Sequence, residues 1–126
     1  MESASANGNL LMIVEDEVDL RETLAEILRM HGFDPVTAES GAEALEILRR
    51  GEAPRVILLD LMMPDMSGWE FREAQLRDPA LASIPVVLVS GVSDLAEAAA
   101  ATSASAFLSK PVDIEVLVQL VTRYCG

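Results

Sequence analysis

Four apolar residues lead directly into an acid in residues 56–60, whose sequence is VILLD. An apolar run of this length, without alternating polar residues, is typical of a strand that helices cover on both faces. Residues 10–14 and 86–89 have the same character. Helical patterns lie between these runs, and this alternation predicts an α/β fold in which βα units surround a parallel sheet.

Two weaker segments complete the predicted sheet. Residues 33–38 contain Pro35, which cannot donate to a strand ladder and is tolerated mainly at a sheet edge. Residues 106–109 form a short and less apolar run, which also suits the margin of a sheet. We therefore expect five strands, with the second strand at an edge.

Local signals predict where the helices begin and end. The apolar stripe of the first helix stops at Gly32, because glycine commonly follows the last turn of a helix. Ser40 with Glu43, and Ser67 with Glu70, have the spacing of capping boxes, which open helices. Further helical patterns follow the fourth and fifth strands, so the sequence predicts five helices.

Size and composition predict one soluble domain. A chain of 126 residues is too short for two domains of ordinary length, and we assign residues 9–126 to the domain and residues 1–8 to a flexible tail. Acidic residues outnumber basic ones by 21 to 9, which disfavours direct nucleic-acid binding. No apolar run approaches the ~20 residues that span a bilayer, and residues 1–5 lack a signal-peptide pattern. We therefore expect a cytoplasmic protein without membrane contact.

Polar residues follow the predicted strands at the point where each strand ends. Glu15 and Asp16 follow the first strand, Asp60 the third, Ser90 ends the fourth, and Lys110 follows the fifth. In an open α/β sheet, ligands bind beyond the carboxyl ends of the strands. The sequence therefore predicts that these five side chains share one edge of the sheet and form the functional site.

Three carboxylates at one edge predict a cation site. Neighbouring carboxylates stay ionised only if a cation or hydrogen bonds offset their repulsion, and Mg²⁺ prefers oxygen ligands of this kind. Asp16 and Asp60 are the expected direct ligands, whereas Glu15 could bind directly or through water. The alternative is that the acids after the first strand only begin a helix, whose amino end favours negative charge.

Asp60 is also a candidate nucleophile. A carboxylate can attack phosphorus and form an acyl phosphate, with a metal ion screening the charges. Ser90 could donate a hydrogen bond to a phosphoryl oxygen, and Lys110 could pair with a carboxylate or a phosphate. Lys110 is the only lysine in the chain, and the other eight basic residues are arginines.

These motifs resemble the signature of the receiver domains of two-component response regulators, the chemotaxis regulators among them. The resemblance covers residues 10–124 and rests on Glu15-Asp16, DLMMPDMSG at residues 60–68, Ser90-Gly91 and Lys110-Pro111. It implies a flavodoxin-like, doubly wound fold with strand order 2-1-3-4-5 and five flanking helices. It also implies a phosphorelay signalling domain that catalyses only its own phosphorylation and dephosphorylation.

The resemblance implies a role for each site residue: Asp60 as phosphoacceptor, Glu15 and Asp16 as the acidic pair for Mg²⁺, the backbone carbonyl of Met62 as a further metal ligand, Ser90 and Lys110 as contacts of the phosphoryl group, and Phe107 as a switch residue with Ser90. The implied partners are a histidine kinase or a histidine-containing phosphotransfer protein, and a downstream protein target that the sequence does not name. An ordinary core position is the alternative for Phe107.

Three positions depart from the commonest family pattern. Gly91 stands where alanine is frequent, Ser103 where a helix-ending glycine is usual, and Phe107 where tyrosine is often found. None of these changes removes a chemical group that the site needs. We expect these three departures to affect the amplitude of the switch and the backbone around the fourth helix. The bond between Lys110 and Pro111 is a candidate cis peptide.

Three other functions compete with this hypothesis. A pseudo-receiver would use the same fold without phosphate, but such domains usually lose one of the site residues, and all are present here. A phosphohydrolase with an aspartyl nucleophile would carry a second aspartate two residues later, where this chain has Met62. A nucleotide-binding fold would need a glycine-rich loop where Glu15, Asp16 and Glu17 would repel phosphate.

Overall fold

The computed structural model describes residues 8–51 and 53–125, so residues 1–7 of the predicted tail lie outside the described part of the chain. Strands and helices alternate along the chain: β1 Leu10–Val14, α1 Val18–Met30, β2 Asp34–Ala38, α2 Gly41–Arg50, β3 Ile57–Leu59, α3 Gly68–Arg77, β4 Val86–Ser90, α4 Leu95–Thr102, β5 Ala106–Ser109 and α5 Ile114–Tyr124. Within these ranges no helix has both the length and the apolar character needed to cross a membrane.

The strands form one parallel sheet in the order β2-β1-β3-β4-β5, as the resemblance implied. Val14 and Leu59, the last residues of β1 and β3, lie opposite each other, and Leu59 lies opposite Leu88, two residues before the end of β4. This register brings the residues that follow β1, β3 and β4 to one edge of the sheet.

Helices cover the sheet on both faces, which explains why the central strands are apolar throughout. Residues such as Met12 and Leu59 point into a core shared with α2, α3 and α4. Their neighbours, such as Ile13 and Leu58, point into a second core shared with α1 and α5. Every residue of β1, β3 and β4 is therefore buried.

Both margins of the sheet are where the sequence predicts them. Pro35 lies in the edge strand β2, opposite Leu11 of β1. The other edge, β5, is only partly covered, and the side chain of Phe107 is 45% exposed. The core alternative for Phe107 was therefore wrong, because the strand that carries it has only one neighbour and its outward face meets solvent.

The helix boundaries follow the predicted signals with one difference. Gly32 has a φ of 90° after the end of α1. Ser67 and Glu70 form a complete capping box at the start of α3. At α2, the hydroxyl of Ser40 accepts a hydrogen bond from the Glu43 backbone, but the Glu43 carboxylate accepts from Glu39 instead. The spacing thus predicted the cap and not the reciprocal bond.

Gly68 lets the start of α3 lie against the end of the third strand. Its backbone amide donates to the carbonyl of Leu61 over 3.0 Å. A β-carbon at this position would lie 2.7 Å from the α-carbon of Leu61 and closer still to the carbonyl oxygen of Asp60. Backbone atoms cannot yield as a flexible side chain can, so only glycine fits beside Asp60.

We expect Gly68→Ala to lower the free energy of unfolding by about 2 kcal/mol, because it overpacks a contact between backbone segments. Urea denaturation measures the change. Gly91→Ala is the matched control, since a β-carbon there would meet only the β-carbon of Lys110 at 4.0 Å. The control should stay within about 0.5 kcal/mol of wild type. Equal effects of the two substitutions would show that the close approach at Gly68 is unimportant.

Candidate functional site

Backbone hydrogen bonds hold the predicted site residues at the carboxyl edge of the sheet. The amide of Asp60 donates to the carbonyl of Val14 over 3.1 Å, and the amide of Lys110 donates to the carbonyl of Ser90 over 3.0 Å. These bonds extend the pairing of the strands by one residue beyond their ends. The side chains of Asp60 and Lys110 therefore start from fixed positions. The peptide bond from Lys110 to Pro111 is cis, as proposed from the sequence.

Three carboxylates gather at this edge, as the sequence predicts. One oxygen from each of Glu15, Asp16 and Asp60 lies within 4.8 Å of the other two. Glu15 and Asp60 are only 3% and 4% exposed, whereas Asp16 is open to solvent. A pair of buried acids beside one that water can reach suits a hard cation that keeps part of its hydration shell.

Lys110 joins the two buried acids. Its Nζ lies 2.9 Å from Glu15 Oε1 and 3.1 Å from Asp60 Oδ2. Backbone amides hold the remaining oxygens, because Met62 donates to Asp60 Oδ1 over 3.2 Å and Glu17 donates to Glu15 Oε2 over 3.1 Å. Each oxygen of both buried carboxylates therefore has a donor, which fixes the orientation of these groups.

The charges at the site perturb one another. Burial raises the pKa of Glu15, and the charge of Asp60 raises it further, while hydrogen bonds from Lys110 and the Glu17 amide only partly oppose the rise. Burial by itself lowers the pKa of Lys110, but its bond to Glu15 and the charge of Asp60 outweigh this effect and raise it. Lys110 is therefore charged at neutral pH and compensates two desolvated acids.

Ser90 brings a hydroxyl group without a partner to the end of β4. The side chain is completely buried, and its Oγ makes no hydrogen bond within residues 8–51 and 53–125. A buried polar group that lacks a partner costs free energy, and such a group in a folded domain is a candidate for a functional role. A hydroxyl in this state can donate to an acceptor that enters the site.

Met62 is the remaining predicted site residue. It lies two residues after Asp60, its backbone amide binds the Asp60 carboxylate, and its side chain is 64% exposed. Phe107 lies on the outer strand β5. The structure thus brings Glu15, Asp16, Asp60 and Lys110 together, while the roles of Met62 and Phe107 stay predictions.

Sequence reasoning missed a buried polar cluster between α3 and α4. Arg72 and Gln75 are 6% and 0% exposed, and the Arg72 guanidinium donates to the carbonyls of Thr102 and Ser103. Polar residues on a surface helix are ordinarily assigned to solvent. The available signal was their phase, since Gln75 lies four residues after buried Phe71 and Arg72 lies four residues after buried Gly68, so both share the buried face of the helix.

The comparisons with known proteins agree with this geometry. The family model of the response regulator receiver domain matches residues 11–122. The transcriptional regulatory protein GlrR of Escherichia coli strain K12 is 37% identical over 114 residues. That match covers 88% of this chain and 25% of GlrR, so the chain spans about a quarter of the length of this relative.

Solved structures show the same architecture. A response regulator receiver protein from Pseudomonas putida is 30% identical and has a TM-score of 0.84, with 90% of this chain and 95% of that chain covered. The response regulator TrrA of Thermotoga maritima, in complex with Mg²⁺ and BeF, is 26% identical with a TM-score of 0.81, covering 92% and 98%. The match over almost the whole described chain, in sequence and in structure, shows that this protein belongs to the response regulator receiver domain family of two-component systems.

Proposed function

We propose that Asp60 accepts a phosphoryl group from a histidine kinase or a histidine-containing phosphotransfer protein, and that the domain then changes its partner-binding surface. The domain predicted from the sequence, residues 9–126, would carry this function. The observation that carries the proposal is the position of Asp60, a buried carboxylate 3.1 Å from the Lys110 ammonium within a cluster of three acids. A buried charge with such partners is a candidate for chemistry.

The proposed reaction is a transfer between two carriers. A carboxylate oxygen of Asp60 forms the new bond to phosphorus, the bond between phosphorus and the donor's imidazole nitrogen breaks, and the imidazole keeps that electron pair. The contacts of Lys110 and the Met62 amide orient the carboxylate before the donor arrives. After transfer, Lys110 and the Ser90 hydroxyl bind the phosphoryl oxygens.

Glu15, Asp16, Asp60 and the backbone carbonyl of Met62 would hold Mg²⁺ at this site. Support comes from the all-oxygen donor set and from the three acids within 4.8 Å of one another. TrrA, a similar protein of known structure, is in complex with Mg²⁺ and BeF. The ion would neutralise the negative charge shared by the carboxylates and the incoming phosphoryl group.

The domain acts on no separate substrate in this proposal and catalyses only its own phosphorylation and dephosphorylation. Attack of water on the acyl phosphate ends the signal. The Met62 amide binds the Asp60 carboxylate and its side chain is exposed, and we expect this side chain to influence how water reaches the acyl phosphate. The lifetime of the phosphorylated state therefore depends on this side chain.

Ser90 and Phe107 form the proposed switch. The Ser90 hydroxyl lacks a partner in the resting domain, so a phosphoryl oxygen offers it a hydrogen bond that it does not otherwise make. The Phe107 ring is 45% exposed and gains favourable burial if it turns inward. In this proposal, phosphorylation favours the second position of each residue, and a downstream protein recognises the changed surface.

The phosphodonor must contact the surface around Asp60. On one side of Lys110 lies a groove of about 560 Å³ that Leu20 and Leu24 of α1 and Val112 and Ile114 near the start of α5 line. An apolar groove beside the acceptor suits the apolar face of a helix that carries the donor histidine. We assign the donor protein to this groove.

In the presence of Mg²⁺, acetyl phosphate should transfer one base-labile phosphoryl group to each wild-type chain. Intact-protein mass spectrometry measures the addition, and alkaline treatment should remove it. Chelation of the metal is expected to prevent labelling, because the acids then repel the donor. A folded domain that takes up no phosphoryl group under these conditions would instead be a pseudo-receiver that works without phosphate.

A further inference from the structure

The carboxyl end of α4 is tied to α3 by a buried arginine. Arg72 donates through Nε to the carbonyl of Thr102 over 2.9 Å and through Nη2 to the carbonyl of Ser103 over 3.0 Å. Its Nη1 donates to Gln75 Oε1 over 2.7 Å. The carboxyl end of a helix carries partial negative charge, so these carbonyls compensate the buried cation.

Gln75 connects the same arginine to the loop before β4. Its amide nitrogen donates to the carbonyls of Leu81 and Ile84 over 2.9 and 3.0 Å. Gln75 is completely buried, so its oxygen and nitrogen depend on these partners. Arg72 and Gln75 thus form one polar cluster that joins α3, the end of α4 and the residues leading into β4.

Ser103 ends α4 in a conformation that glycine usually supplies. Its φ is 57° and its ψ is 37°, in the left-handed region that serine rarely adopts. The amide of Ala104 donates to the carbonyl of Ala99 over 2.9 Å, which completes a regular helix-ending motif. Arg72 binds the carbonyls of Thr102 and Ser103 and so supports this unfavourable turn from outside the helix.

The amino end of α4 has no comparable polar support among the described residues. The residue before it, Asp94, makes no side-chain capping bond. This end follows the short exposed segment that begins at Gly91, directly after Ser90. Leu95, the first residue of α4, packs into the core at this end, and the other buried apolar side chains of the helix are alanines, which bury little area.

We propose that Arg72 is a positioning residue that fixes the carboxyl end of α4, so that α4 pivots at Ser103 and its amino end moves when Ser90 engages the phosphoryl group. The trigger rests on the proposed function, whereas the fixed end is a property of the resting domain. The buried polar attachment is at Thr102 and Ser103, whereas Ser90, the trigger, lies shortly before the opposite end of α4.

The pivot would reshape a groove between α3 and α4. Trp69 and the first two turns of α4 line a groove of about 500 Å³, which includes Asp94, Glu97 and Ala98. Trp69 is the only tryptophan of the chain and is 42% exposed. Movement of the amino end of α4 changes the surroundings of this ring, so its fluorescence reports the pivot.

The fixed end is tested in the resting domain by Arg72→Met, which keeps an apolar side chain of similar length and removes the donors. Hydrogen exchange of the Ser103 and Ala104 amides, followed by NMR, should accelerate about tenfold. Arg77→Met is the matched control, because this arginine lies on the same helix and is exposed. Unchanged exchange at Ser103 and Ala104 would overturn the proposal, whether or not Asp60 accepts phosphate.

The pivot is tested by adding Mg²⁺ and beryllium fluoride to the wild-type domain. Exchange of the Ala98 amide, which donates to Asp94, should change by about tenfold, while Ser103 and Ala104 change less than about twofold. Trp69 emission should shift in the same titration. Equal changes at both ends of α4 would overturn the pivot alone. No change at any amide would overturn the proposed function and the pivot with it.

Arg72→Lys gives the same test if Arg72→Met does not fold. Lysine keeps the cation but cannot bind Gln75 and both carbonyls at once. We expect the resting exchange of Ser103 and Ala104 to rise in this variant and the difference between the two ends of α4 to shrink after beryllium fluoride is added. A lysine variant that behaves as wild type in both respects would show that the guanidinium does not position α4.

Discussion

Asp60→Asn is expected to abolish phosphorylation, with incorporation from acetyl phosphate and Mg²⁺ falling by at least about a thousandfold. An amide oxygen is a poor nucleophile toward phosphorus, and the substitution also removes one charge from the proposed metal site. Asparagine has nearly the same size as aspartate and can still accept the hydrogen bond that the Met62 amide donates to Asp60 Oδ1. The loss of labelling would therefore report chemistry rather than a collapsed loop.

The variant should keep a cooperative unfolding transition, because Lys110 retains its 2.9 Å contact with Glu15. Asp65→Asn is the matched control, since it makes the same change at an exposed acid of the same loop. Intact-protein mass spectrometry of both variants gives the comparison. A phosphoryl group that survives in Asp60→Asn would place the nucleophile elsewhere and defeat the proposed assignment.

The sheet could be predicted from the sequence because each strand has a local signature. Fully buried parallel strands need continuous apolar runs, and the central three have them. Pro35 identified an edge because proline lacks the amide that a central strand needs. The members of the site were predictable for a related reason, since parallel strands place their carboxyl ends at the same edge.

The contacts within the site were harder to predict from the sequence. The order of the strands indicates that Glu15, Asp60 and Lys110 share an edge, but not that the ammonium lies between the two acids at 2.9 and 3.1 Å. That arrangement depends on side-chain burial and on the register between β4 and β5. Both are set by packing across the sheet rather than by neighbours in the sequence.

Helix α3 shows where pattern reasoning fails. Trp69 and Leu76 are about half exposed, whereas Arg72 and Gln75 face the interior. An apolar-inside rule would assign these four residues the opposite way. The inversion is stable because Arg72 finds the carbonyls of Thr102 and Ser103, about 30 residues away in sequence, and such partners become visible only once the chain is folded.

Lys110→Met is expected to lower the free energy of unfolding by about 2–3 kcal/mol in metal-free buffer at neutral pH. Removal of one member of a buried ion pair typically costs 3–5 kcal/mol, and the smaller value allows for the 23% exposure of Lys110. The cost arises because Glu15 and Asp60 remain buried without their shared cation. The transition should stay cooperative, since methionine preserves most of the apolar stem.

Arg77→Met is the control for the loss of a cation as such. Its guanidinium pairs with Glu73 across one turn of an exposed helix face, where such pairs contribute about 0.5 kcal/mol or less. Urea denaturation of the two variants therefore separates the buried contact from a change in net charge. If both substitutions have the same small effect, Lys110 does not stabilise the resting site.

Mg²⁺ should restore part of the stability that Lys110→Met loses. A ligand that binds only the folded state stabilises it in proportion to the logarithm of its concentration over its dissociation constant. Without the ammonium between the acids, the carboxylates attract the ion more strongly. Saturating Mg²⁺ should therefore stabilise the variant by about 1 kcal/mol more than wild type. A rescue that also occurs with sodium at equal ionic strength would mean charge screening rather than a metal site.

The stabilising effect of Lys110 should also depend on pH, and the direction of this dependence is a separate test. The folded pKa of Glu15 already lies above its ordinary value of 4.5, and loss of the Lys110 bond raises it further. An acid with a raised folded pKa binds more protons in the folded state, so stability falls as pH rises above about 4.5. The stability difference between wild type and Lys110→Met should consequently be small near pH 4 and grow toward neutrality.

The Lys110 contribution then persists in wild type until the pH passes the raised pKa of its ammonium, above 10.5. A difference that instead shrinks between pH 4 and 7 would mean that the two buried acids are not what the lysine compensates.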